Sequence, residues 1–402
     1  MSHPKEHFHK QDIEFDQEHD FAGLISDKWN FRKERVGRED VIAMWVADMD
    51  FETSPAVQKA IVKRAKRGIY GYAAVTEEYT NAVIGWFKKR HQWTIAPESM
   101  KQTPGVITAI HLGIQALSEI NDFILIQTPV YHPFFRVIKQ TKRQVLENPF
   151  IRTEKGYEID FEDFKQKIIA HKPKVFILCN PHNPIGKVYR KEDLIKLSEI
   201  CLQYDVKMIV DEIHCDLVYF AAKHIPFGTL GDAFAENAII CTAPSKSFNL
   251  AGIRNSNIII PGEELRTAFQ AVYDFVGIPK PSLFPLVATQ AAYEKGEEWF
   301  DQVIVYIQQN RDYAIERIEK NLPKLKVNHP EGTYFLWMDF NAYGLTKEEL
   351  EKFLIDKAGV WFNQGYSFGT QGEGFVRINI ACPQKTLKRA LKQLEDALNK
   401  LK

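Results

Sequence analysis

The chain has 402 residues and carries 52 lysines and arginines against 52 aspartates and glutamates. It is too long for one ordinary core and long enough for two lobes, and its balanced charge offers no overall field to draw nucleic acid or an anionic membrane. A hydrophobic content of 45% and a charged content of 26% are those of a soluble globular protein, and no apolar run is long enough to cross a bilayer.

The first stretch, MSHPKEHFHKQDIEFD, lacks the apolar core of a signal peptide, so a cytoplasmic protein is expected. His3, His7, His9 and His19 come with no thiolate and no ligand spacing, and no metal is expected there. Thr53, Ser54 and Pro55 form a helix start signal, and Gly68 a stop. Gly105 is expected to open a second helix with Val106, Ile110, Ile114 and Leu117 on its apolar face. Five runs then read as strands: FILIQ (123–127), VFILC (175–179), VKMIV (206–210), AIIC (238–241) and NIII (257–260). They are short, rich in branched residues and apolar almost throughout, as strands covered on both faces would be. Helical segments such as KEDLIKLSEICLQYD (191–205) lie between several of them, the pattern of an open, mostly parallel sheet wrapped by helices.

From about Ala291 the pattern changes. A long helical stretch precedes TYFLWMDF (333–340), GVWFNQGYSFG (359–369) and GFVRINIA (374–381). A final helix is expected from Thr386, with Leu387, Leu391, Leu394, Leu398 and Leu401 on one stripe that packs on a smaller α+β lobe. The cysteines Cys179, Cys201, Cys215, Cys241 and Cys382 are odd in number and without paired spacing. They read as small core residues, not as a disulfide frame or a zinc site.

In an open parallel sheet, ligands bind beyond the carboxyl ends of the strands. Tyr131, in TPVYHPFF, follows the first run; NPHNPIGK (180–187) follows the second; DEIHCD (211–216) follows the third; SKSFNLAGIR (245–254) follows the fourth. Singly, each has an ordinary explanation. Asp211 would cap a helix, Asn180, Pro181, Asn183 and Pro184 would shape a turn, and Lys246 would be a solvated lysine. Together they bring an aromatic ring, an amide, a carboxylate and an amine to one crevice.

NPHNPIGK, DEIHCD and SKSFNLAGIR together resemble fold-type-I enzymes that use pyridoxal 5′-phosphate, the class I/II aminotransferase superfamily. WVADMDF (45–51), YGY (70–72), DEIH and SKSFNLAG resemble more narrowly the bacterial cystathionine beta-lyases, or C–S lyases, of the MalY/PatB type. The resemblance implies an α/β, aspartate aminotransferase-like fold. A large domain, 51–290, would hold a mainly parallel sheet between helices; a smaller α+β domain, 291–402, would be joined by residues 1–50. It implies that Lys246 links covalently to the cofactor aldehyde and that Asp211 pairs with the ring nitrogen. Asn183 and His214 would lie near the phenolic oxygen, and Tyr131 would stack on the ring. Gly105, Val106, Ile107, Ser245 and Arg254 would bind the phosphate, with Tyr72 reaching it from the second subunit of a homodimer. Arg377 would grip the substrate α-carboxylate, with Ala47 and Asp48 nearby. An uncharged lysine amine is the nucleophilic form, and burial among cationic groups favours it.

The reaction implied is α,β-elimination from an L-amino acid with sulfur at Cβ, such as L-cystathionine, giving a thiol, pyruvate and ammonia. An aminotransferase would use the same lysine, aspartate and arginine. A regulatory, partner-binding role on this scaffold is a third reading, one that would survive loss of Lys246. Tyr131, Tyr366 and the loop GIPKPSLF (277–284) are candidates for the distal pocket.

Overall fold

A computed structural model describes residues 14–154 and 156–401; His3, His7 and His9 lie outside the described residues. A seven-stranded sheet runs through its larger part in the order Met100–Thr103, Ser256–Ile259, Ala238–Thr242, Lys207–Asp211, Val175–Cys179, Phe123–Thr128, Gln144–Pro149. The five runs read from the sequence are all strands, four of them mutually parallel. The fifth, Ser256–Ile259, runs antiparallel to both its neighbours. The strands Met100–Thr103 and Gln144–Pro149 complete the two edges. Their sequences, MKQT and QVLENP, are too polar to stand out as buried runs.

Side chains alternate between two cores. Ile177, Ile209 and Ile239 pack with the helix Val106–Leu117 on one face; Phe176, Met208 and Ile240 pack on the other. The helix comes close to the sheet at Gly113, where an added Cβ would stand 2.9 Å from Ile209 Cδ1 and 3.3 Å from Ile239 Cδ1. The helix Pro55–Ala65 starts at Ser54, whose hydroxyl accepts Ala56 N–H at 3.3 Å.

The long C-terminal helical stretch is two helices, Leu283–Lys295 and Glu297–Asn321, meeting at Gly296. The first packs on Pro55–Ala65 and Glu77–His91; the second packs on Gln384–Leu398. The last helix therefore begins two residues before Thr386. Leu387, Leu391, Leu394 and Leu398 are buried in it, and Leu401 follows its end. Lys326–Val327, Phe335–Asp339, Phe375–Asn379 and Asn363–Gln364 form a second, antiparallel sheet. Ile42–Ala43 pairs with Val360–Trp361, tying the N-terminal segment to this C-terminal part. All five cysteines are buried and unpaired. Among the described residues, no helix is long and apolar enough to cross a membrane.

Candidate active site

The parallel strands end level with one another. Cys179, Asp211 and Cys241 are register partners across three strands. A cavity of about 350 Å³ opens at this edge. Its lining includes Ala47, Gly105, Val106, Ile107, Tyr131, Asn183, Asp211, His214, Ser245, Lys246 and Arg254. These are eleven of the residues singled out from sequence, brought together from six separate stretches of chain.

At one end of the cavity the helix Val106–Leu117 begins at Gly105, whose φ of 115° is open to glycine. No side chain caps this helix, and the N–H groups of Val106 and Ile107 have no acceptor among the described residues. Thr103 braces the entry, its hydroxyl donating to Gly105 O at 3.0 Å. Ser245 and the exposed Arg254 lie beside these free N–H groups, and no side chain pairs with Arg254 among the described residues. An uncapped helix start, a hydroxyl and a guanidinium form a site for a multiply charged anion.

Asp211 stands deeper in the cavity, 3% exposed. Its Oδ1 accepts Ile213 N–H at 3.1 Å, and Oδ2 has no partner among the described residues. Burial pushes its carboxyl up to about 7, against the pull of the Ile213 N–H and the Lys246 charge. A cation or a donor placed against Oδ2 would reverse that. His214 is also buried, its Nδ1 without a partner. Burial, then the charges of Lys246 and Arg377, hold its imidazole well below its ordinary range, so it is neutral.

The raised Asp211 carboxyl has a consequence for stability. The folded, ligand-free chain keeps a proton on Asp211 between about pH 4 and 7 that the unfolded chain releases, so stability falls as pH rises through that window. In ligand-free protein, Asp211→Asn should therefore match wild type near pH 4. It should exceed wild type by a few kcal/mol, on the order of the shift, at pH 8. Melting curves across pH check this; parallel curves would contradict it.

Lys246 lies in the short helix Pro244–Ser247, just after the strand Ala238–Thr242. Its Nζ donates to Ala47 O at 2.8 Å, and Tyr334 Oη donates to the same carbonyl at 2.8 Å. Burial, with Arg377 adding to it, lowers the lysine from its ordinary range, while Asp48 and Asp211 act against the shift.

Arg377 is buried, 2% exposed, and does not itself line the cavity; it stands behind the lining residue Asn183. Nη1 donates to Asn183 Oδ1 at 2.9 Å and Nη2 to Trp45 O at 2.8 Å, while Nε is buried without a partner. Its Cζ stands 4.0 Å from the Phe335 ring centroid. Burial pushes it down to about 10, so it stays cationic at neutral pH. No carboxylate pairs with it among the described residues. A buried guanidinium left in that state is a receptor for a carboxylate. Its bond to Asn183 Oδ1 also turns the amide, leaving the nitrogen of Asn183 for another acceptor.

Tyr72 is fully exposed and outside the cavity. Tyr366 is 46% exposed and lies beside Lys347, and neither it nor residues 277–284 line the cavity. Two residues that hold the site escaped sequence reasoning. Asn379 Nδ2 donates to both Val46 O and Asp48 O at 2.7 Å, and Tyr334 holds Ala47 through its carbonyl. Asn379 ends the strand Phe375–Asn379 and Tyr334 stands one residue before the strand Phe335–Asp339, positions whose polar atoms carry no recognisable motif.

The chain is similar to known proteins by family, by sequence and by fold. Residues 39–394 match the family model for aminotransferase class I and II. The chain is 40% identical to cystathionine beta-lyase PatB of Bacillus subtilis over 96% of its own length and 100% of that protein's. Its fold is similar to cystalysin from Treponema denticola, which contains a pyridoxal 5′-phosphate cofactor. The TM-score there is 0.94 at 34% identity, covering 97% of this chain and 100% of that one. It is likewise similar to the pyridoxal-phosphate-bound C–S lyase of Staphylococcus hominis, with a TM-score of 0.89 at 34% identity, covering 96% and 99%.

Proposed function

Because the chain belongs to the class I and II aminotransferase family, we propose that it is a pyridoxal-phosphate-dependent C–S lyase acting on L-cystathionine or related cysteine S-conjugates. The observation that carries this reading is the meeting of Lys246, Asp211 and an uncapped helix start in one cavity.

The residues fit the cofactor atom type by atom type. Val106, Ile107, Ser245 and Arg254 suit its phosphate. Asp211 suits a protonated ring nitrogen, which would relieve its buried, half-partnered carboxyl. The free amide nitrogen of Asn183 and the orphan Nδ1 of His214 suit the phenolic oxygen, and Tyr131 suits the ring face. When bound, the cofactor supplies an aldehyde that condenses with amines and a ring that takes up the electron pair left at Cα.

The chain's own groups do the rest. Arg377 takes the substrate carboxylate with its guanidinium and thereby fixes the orientation of Cα. Lys246, whose burial eases loss of its proton and whose Nζ is held by Ala47 O, removes the Cα proton. Asp211 keeps the ring nitrogen cationic, which makes loss of that proton feasible. Departure of sulfur from Cβ gives the thiol, and the unsaturated amine that remains takes up water after release to become pyruvate and ammonia; cystathionine would yield homocysteine. Tyr72, exposed on the single chain, would complete the phosphate site of a second copy in a homodimer. The change of packing partners between the helices on either side of Gly296, and the pairing of Ile42–Ala43 with Val360–Trp361, support a large domain and a small domain with the N-terminal segment joined to it.

Arg377→Lys should lower kcat/KM by about 10²-fold, mostly through KM, because a point charge replaces a planar fork. Steady-state kinetics with cystathionine measure it; an unchanged KM would remove Arg377 from the carboxylate site. The reaction class is tested by following thiol, pyruvate and the cofactor spectrum together. Equal yields of thiol and pyruvate with the cofactor remaining an aldehyde support the lyase. Stoichiometric conversion of the cofactor to its amine, reversed by a keto acid, would contradict it.

A further inference from the structure

The segment that sends Asp211 and His214 into the cavity ends at Asp216, which is buried behind it. Asp216 Oδ2 accepts the Ser247 hydroxyl at 2.7 Å. Oδ1 accepts Trp86 Nε1 at 3.1 Å and stands 2.7 Å from His91 Nε2. Ser247 is the residue after Lys246 and is fully buried. Trp86 and His91 both belong to the helix Glu77–His91. Neither Asp216 nor Ser247 lines the cavity, and the elimination has no use for a second acid here.

The helix bearing Lys246, Pro244–Ser247, is four residues long. One turn of helix does not hold its own shape, so outside contacts decide where its side chains stand. In front, Lys246 Nζ rests on Ala47 O. Behind, Ser247 is bound to Asp216, and Phe248 packs edge-on to Trp86 with ring centroids 5.3 Å apart. Asp216 is joined to Asp211 through the four residues between them, so its bond to Ser247 ties the turn of the amine to the segment of the carboxylate. A buried acceptor with this many partners has one arrangement that satisfies all of them.

Resting on the proposed C–S lyase site, we infer that Asp216 is a positioning residue for Lys246: through the Ser247 hydroxyl it sets where the amine stands relative to Asp211. His91 and Trp86 fix Asp216 in turn.

The test uses holoprotein carrying Ser247→Ala, Ser247→Thr, Asp216→Asn, and Ser247→Ala combined with Asp216→Asn. Three readouts are taken: hydrogen–deuterium exchange of residues 244–250, kcat and KM with cystathionine, and the visible absorption of the bound cofactor. In Ser247→Ala, exchange of that segment should rise about tenfold. The kcat should fall about tenfold with KM within about twofold, because the amine is displaced while substrate binding is kept, and the absorption band should shift. Ser247→Thr keeps a hydroxyl and should behave as wild type. The double variant should be no worse than Asp216→Asn alone, since both remove one link. Wild-type exchange and kcat in Ser247→Ala, or effects that add in the double variant, would overturn the inference. Should wild type hold no cofactor, the site reading fails, and the exchange comparison, which needs none, still decides the role of Asp216.

Discussion

Lys246→Ala should lower elimination by at least about 10³-fold while the protein stays folded. Lys246 is the one lysine among the residues that line the cavity. His214 is buried and neutral, and in the proposed site its orphan Nδ1 would face the cofactor's phenolic oxygen, which leaves Lys246 as the base among the described lining residues. Because the side chain's one hydrogen bond among the described residues is to Ala47 O, which also accepts from Tyr334, its removal leaves that carbonyl with a partner and causes little structural damage. Added small amines should restore part of the rate by entering the space left behind. A melting temperature near wild type, a large loss of kcat and partial rescue by amine form the expected set. A kcat within tenfold of wild type would mean that another group abstracts the proton.

Asp211→Asn should lower kcat by about 10²-fold or more and weaken cofactor binding, since an amide cannot keep the ring nitrogen cationic. Asp211→Glu should recover part of the loss. The same Asp211→Asn substitution is expected to stabilise the ligand-free chain above pH 7, because it removes a carboxyl whose ionisation burial opposes. Opposite signs for stability and turnover from one atom change mark a group kept for its chemistry at a cost to the fold. Losses of kcat and of ligand-free stability together would instead make Asp211 a structural cap at the strand end. Kinetics, cofactor titration and melting of the same preparations distinguish these outcomes.

The central strands were legible because four of them are buried on both faces, so their sequences are unbroken apolar runs. The residues that follow such runs fall at the sheet's carboxyl edge by topology alone, and there the cavity opens. The edges were not legible. Met100–Thr103 and Gln144–Pro149 have partners on one side only and tolerate lysine, glutamine and glutamate. Strand direction was hidden too: the run at 257–260 looks like its neighbours but enters the sheet reversed, and an apolar run carries no record of the direction in which it will pair.

The supporting groups were the least visible. Tyr334 and Asn379 act on backbone carbonyls of residues 46–48, some 287 to 333 positions away in the chain. A hydrogen bond to backbone leaves no complementary side chain to look for. Asp216 sat in plain view beside Asp211, but its partners Ser247, Trp86 and His91 become neighbours only once two helices and a strand end have packed together. Arg377 was noticed through the resemblance alone. Its distinguishing property, burial without a counter-ion, belongs to the packed structure.

The central claim is that one amine, Lys246, holds the cofactor covalently within reach of Asp211. Borohydride reduction of purified holoprotein, followed by proteolysis and mass spectrometry of the peptides, tests this most directly. The account predicts a single cofactor adduct, on the peptide that contains residues 245–254 and at position 246. A reduced protein without an adduct, or with its adduct on a different lysine, would contradict it.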